Sequence, residues 1–122
     1  MDAVLDVMSG PWVWGVSDCC TAACDVFQRL HGIDAMAPLR GRYSTEAGAY
    51  ALIRDAGGWR RLFMGLAAES NLKPGDGSPG EIGLIRAGGR RALAISVGGD
   101  MWASRVDGGF ATFKKVILSC QS

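Results

Sequence analysis

Asp18-Cys19-Cys20-Thr21-Ala22-Ala23-Cys24-Asp25-Val26-Phe27-Gln28-Arg29-Leu30 is the stretch that decides the fold. Its apolar positions Cys20, Ala23, Cys24, Phe27 and Leu30 recur at three- and four-residue spacing, which lines one stripe of a helix. Ser17 or Asp18 stands where an N-cap belongs, and Gly32 stands where a left-handed C-cap belongs. The pattern predicts a central buried helix, around which the remaining elements are arranged.

Working outward, the chain is helical before about residue 70 and β-like after it. Asp2 to Ser9 predicts a short amphipathic helix with Val4, Leu5 and Met8 on one side, stopped by Gly10-Pro11. Trp12-Val13-Trp14-Gly15 then reads as a loop. A further helix starts at Ser44 or Thr45, with Tyr50, Leu52 and Ile53 on its inner face, and ends at Gly57-Gly58. Leu62, Phe63 and Leu66 suggest another short helix. Pro74-Gly75-Asp76-Gly77-Ser78-Pro79-Gly80 is a turn-rich connection. Four strands follow, Glu81 to Arg86, Arg91 to Val97, Asp100 to Arg105 and Phe110 to Ile117, separated by Gly88-Gly89, Gly98-Gly99 and Gly108-Gly109. The expected class is α+β: one domain over residues 1–122, helical over about 1–70 and β over about 80–118. Its helices pack on a C-terminal antiparallel sheet or partial barrel.

The 122 residues support one domain with one core. Hydrophobic residues at 48% and charged residues at 20% are ordinary for a globular chain and exclude disordered and fibrous classes. A net charge of +1 implies no charge-driven nucleic-acid partner. The doublets Arg60-Arg61, Arg90-Arg91 and Lys114-Lys115 read as solvated faces. Two acids, no basic residue and a broken apolar run in Met1–Met8 do not make a secretory signal, and no apolar run is long enough for a membrane span. Synthesis in the cytoplasm is the expectation.

The cysteines stand at 19, 20, 24 and 120. This is no disulfide framework, and free thiols are expected. Cys20 and Cys24 share a helical face that Cys120 can approach, but the spacing matches no standard zinc pattern; no cofactor is expected, with zinc or an iron–sulfur cluster on these three cysteines as the minority reading. Cys19 differs from the others because a thiol in the first turn of a helix, behind an acidic cap, is favoured as thiolate. With a base opposite it, such a cysteine attacks amide carbonyls. The same placement also suits a structural thiol. Asp18 has two readings as well, a cap for helix amides or an orienting acid. Trp12 and Trp14 either line a sugar- or peptide-binding groove beside Cys19 or close the core, with core packing the simpler reading.

Trp14-Gly15-Val16-Ser17-Asp18-Cys19 resembles the segment that opens the core helix of the NlpC-type, papain-like cell-wall peptidases. Trp-Gly leading into Asp-Cys, and Gly41-Arg42-Tyr43 ahead of a helix, are similar to a phage-encoded, tail-associated branch of that superfamily. Gly80-Glu81-Ile82 is similar to its Gly-Asp step into the first strand. The resemblance implies a papain-like fold, Cys19 as nucleophile, and a histidine in the second strand.

That strand reads Arg91-Ala92-Leu93-Ala94-Ile95-Ser96-Val97-Gly98, and Ala92 stands where the resemblance puts the histidine. The single histidine, His31, is at the far end of the cysteine helix, roughly 18 Å along its axis from Cys19, where it suits the helix C-terminal dipole. Two expectations follow from the resemblance. One is a phage tail-tip, baseplate or tail-assembly protein that uses a degenerate hydrolase fold as a structural or binding module. Its partners would be hub, distal tail or tip proteins, it would lie at the virion tail tip, and Cys19 would be vestigial. The alternative is an active cysteine hydrolase of peptidoglycan peptides with a different base.

Overall fold

The computed structural model describes all residues from Met1 to Ser122. Four helices, α1 (Asp2–Val7), α2 (Cys19–His31), α3 (Glu46–Asp55) and α4 (Trp59–Glu69), precede six strands. The strands are β1 (Lys73–Pro74), β2 (Ile82–Ala87), β3 (Arg90–Gly98), β4 (Met101–Val106), β5 (Gly109–Phe113) and β6 (Val116–Gln121). They form one antiparallel sheet in the order β1-β6-β2-β3-β4-β5. The α+β class and the helix-then-strand order agree with the sequence reading.

Helix α2 is buried along its stripe at Ala23, Cys24 and Phe27, and Val26, outside that stripe, is equally inaccessible to solvent. They belong to the main core, together with Leu84, Leu93, Ile95 and Ala103 of the sheet. The pleat sends Leu93 and Ile95 to that core and the alternate residues Ala92 and Ala94 to a second, smaller cluster with Ile85 and Trp102. Trp102 occupies space that a side chain at Gly83 would fill, since a Cβ there would stand 2.6 Å from the indole ring. Asp18 and Gly32 end α2 as expected, Gly32 with φ +72°.

Several expectations need correction. Leu5, Leu30 and Tyr50 are exposed, because each apolar stripe is wider than the surface available to cover it. Helix α3 buries none of its residues, so Leu52 and Ile53 only half-cover the core. The segment Phe110 to Ile117 is two strands, parted at Lys114-Lys115, and β6 crosses back to pair with β2 rather than continuing β5.

Two buried charged side chains hold the loops to this frame. Glu81 accepts hydrogen bonds from the amides of Asp76, Gly77 and Ser78 and from Ser119 Oγ, at 2.9–3.1 Å, and so organises the turn-rich connection. Arg105, 1% exposed, donates to Ser17 Oγ and to the carbonyls of Val106, Gly109, Gly10 and Pro11. It thereby fastens the tryptophan loop to the edge of the sheet.

Candidate functional site

The loop before α2 turns back on itself, with Val13 bridged to Ser17. Gly15 has φ +82°, and a Cβ there would lie 2.2 Å from the Tyr43 carbonyl oxygen, so only glycine lets the two segments meet. Asp18 joins them. Its Oδ2 accepts from the Gly15 amide at 2.8 Å and from the Tyr43 hydroxyl at 2.6 Å. Its Oδ1 accepts from the amides of Cys20 and Thr21 at 2.9 Å, and Thr21 Oγ1 completes a capping box by accepting from the Asp18 amide. With both oxygens engaged and 1% exposure, Asp18 acts as a structural cap. Burial and the Asp18 hydrogen bond push the Tyr43 hydroxyl far above its ordinary range.

Cys19 is half-buried in the first turn of α2 and packs against the cluster that contains Ala92 and Ala94. Its thiol is drawn below the ordinary value, chiefly by the Cys20 sulfhydryl 4.0 Å away, with a backbone hydrogen bond from Leu93 and the Arg90 charge adding to the effect. Burial and the Asp18 charge oppose this. Cys20 is driven the other way, by its hydrogen bond to Cys19 and by burial. Burial also raises Cys24 and Cys120.

Cys19 is therefore expected to react with iodoacetamide faster than the other three, with a midpoint below the free-thiol value of about 8.5. Peptide mass mapping across pH checks this, and equal labelling of Cys19 and Cys24 in the native protein would contradict it.

Trp12 and Trp14 meet edge to face with ring centroids 5.1 Å apart. They are half-buried rather than core residues, and with Tyr43, Tyr50, Trp59 and Arg90 they line a cleft of about 30 Å³ that reaches Cys19. The Trp12 Nε1 is buried without a partner. Sequence reasoning placed Trp12, Trp14, Asp18 and Cys19 together, and the structure gathers all four. It missed Tyr50, Trp59 and Arg90 as cleft residues, for which only an aromatic in α3, read as an inner-face residue, and a basic doublet gave a signal. Arg105, which holds the loop, was missed too, although an arginine inside an apolar strand was legible.

A family model matches residues 1–118. The chain belongs to the DUF6950 family. That family is described as a domain of unknown function, and no curated protein and no solved structure matches the chain. The match runs from α1 into β6, so the Cys19 cleft of this DUF6950 domain lies wholly within it.

The remaining candidates of the DUF6950 domain do not gather at the cleft. His31 contacts the Gly80 carbonyl through Nε2 at 2.9 Å, at the opposite end of α2. Ser96 donates to the Gly77 carbonyl. Asp100 lines a separate, larger groove of about 870 Å³ between α4 and β6, which Cys120 also borders and which does not include Cys19. No three His, Cys, Asp or Glu side chains converge as a metal site.

Proposed function

We propose that this chain is a phage tail-tip, baseplate or tail-assembly component that keeps an NlpC-type, papain-like frame as a structural and binding module. The observation that carries the proposal is the surroundings of Cys19. Amide hydrolysis by a thiolate requires a group that delivers a proton to the leaving amine. Besides Cys19, the titratable side chains around the cleft are Asp18, saturated as a cap; Tyr43 and Cys20, both held neutral; the Tyr50 hydroxyl; and the guanidiniums of Arg90 and Arg91. No histidine is among them. Ala92, at the position where the resemblance calls for histidine, supplies only a methyl group to the cluster against which Cys19 packs.

A binding role needs the cleft and not the thiol. A phage carrying Cys19→Ser is expected to assemble and infect as the parent does, with the protein present in purified particles by mass spectrometry. Normal particles that fail to infect would instead assign Cys19 a reaction. One observation favours that second reading, an active cysteine hydrolase: the lowered Cys19 thiol opening into an aromatic cleft.

A further inference from the structure

The tip of the β2–β3 hairpin gathers three arginines with no acidic partner. Arg86, Arg90 and Arg91, with Gly88 and Gly89, are the whole lining of a concavity of about 230 Å³. Arg86 and Arg91 are direct cross-strand partners, and Arg90 pairs with Ala87 one step nearer the turn. The Lys115 backbone lies alongside, its carbonyl accepting from the Arg86 amide. Arg29, Arg40 and Arg54 each have an aspartate, and Arg105 is saturated by five acceptors; Arg42, Arg60 and Arg61 are unpaired as well, but none of them lines this concavity. The hairpin arginines have neither a salt bridge nor a side-chain hydrogen bond. Like charges directly opposite in a sheet are destabilising, so the arrangement costs the isolated fold stability.

We propose that this tip is a binding site for an acidic segment of a partner protein, its carboxylates taken by the guanidiniums of Arg86, Arg90 and Arg91. Planar guanidiniums bind carboxylates bidentately, and several around one hollow select for clustered negative charge. Charge complementarity favours a compact acidic segment over nucleic acid. The chain carries a net charge of only +1, and the adjoining aromatic cleft of about 30 Å³ is too small to take the stacked bases that single-strand binding uses. The proposal does not depend on a role in phage tails, since it concerns the isolated chain and a defined ligand chemistry.

The test is fluorescence anisotropy of labelled hexaglutamate against the full chain in about 50 mM NaCl, with oligothymidine and inorganic phosphate as the other probes. Hexaglutamate is expected to bind and to be displaced at high salt. Arg86→Gln, Arg90→Gln and Arg91→Gln should each weaken it about tenfold, and the triple variant should abolish it. Arg91→Gln alone is also expected to raise the Tm of the free protein, because it removes the repulsion from Arg86, while hexaglutamate raises the Tm of the parent and leaves that of the triple variant unchanged. No hexaglutamate binding, binding that survives the triple variant, or tighter binding of oligothymidine or phosphate would each overturn the proposal.

Discussion

Arg105→Leu is expected to lower the free energy of unfolding by about 3–5 kcal/mol, which is a large part of what a domain of this size has. The guanidinium uses all five of its N–H groups: Nε on Ser17, Nη1 on the Val106 and Gly109 carbonyls, and Nη2 on the Gly10 and Pro11 carbonyls. Leucine keeps much of the volume but leaves those acceptors without donors. Each acceptor kept from water costs about 1–3 kcal/mol. Gly10 and Pro11 lie on an exposed loop and recover hydration, which keeps the total below the full sum. Arg105→Lys should restore only part of the loss, since an ammonium has three donors and no fork. Urea denaturation followed by tryptophan fluorescence reads the effect. In both variants the emission of Trp12 and Trp14 should shift to the red before global unfolding, because Arg105 is the main tie between their loop and the sheet. A loss below about 1 kcal/mol, the scale of an ordinary surface contact, would show that the clamp is dispensable.

Asp18→Ala is the second large effect, with an expected loss of about 3–4 kcal/mol. Removing an N-cap costs about 0.5–2 kcal/mol, and here the same carboxylate also satisfies the Gly15 amide and the Tyr43 hydroxyl. Asp18→Asn should recover part of that stability, because its amide oxygen still accepts. It also separates stability from charge. The Asp18 charge holds the Cys19 thiol up, so the neutral asparagine should move the Cys19 alkylation midpoint to lower pH. A midpoint displaced upward in Asp18→Asn would mean that the carboxylate acts on Cys19 through geometry and not through its charge.

These two side chains also show what the sequence could and could not reveal. Asp18 was legible because capping is local: an acid directly before an apolar helical stripe has few other uses. That Gly15 and Tyr43 converge on it was not legible, since Trp14-Gly15 and Gly41-Arg42-Tyr43 stood out only as separate segments and nothing local marks them as partners of Asp18. Arg105 shows the opposite case. Its acceptors on Gly10 and Pro11 lie 95 and 94 residues away, and no periodicity encodes which carbonyls will lack donors.

The break at Lys114-Lys115 was hidden for a similar reason. Phe110 to Ile117 alternates well enough for one strand, and only the pairing of Val116 and Leu118 with β2 shows that the chain leaves β5 and crosses the sheet. Tyr50 and Leu30 misled in the other direction. Each continues an apolar stripe, but neither has a neighbouring element to cover it, and Tyr50 instead lines the Cys19 cleft at 47% exposure. The basic doublet Arg90-Arg91 read as a solvated face until register placed Arg86 opposite Arg91.

On the proposed reading Cys19 forms a thiolate with no histidine beside it to complete hydrolysis, and release of soluble peptide fragments from purified peptidoglycan tests that most directly. The parent chain and Cys19→Ala are compared at equal concentration across neutral pH, with iodoacetamide labelling run in parallel to show that Cys19 is accessible. The account predicts that Cys19 labels readily while neither protein releases fragments above the no-protein control. Release by the parent that disappears in Cys19→Ala would contradict it and would mean that a proton donor other than histidine serves this cleft.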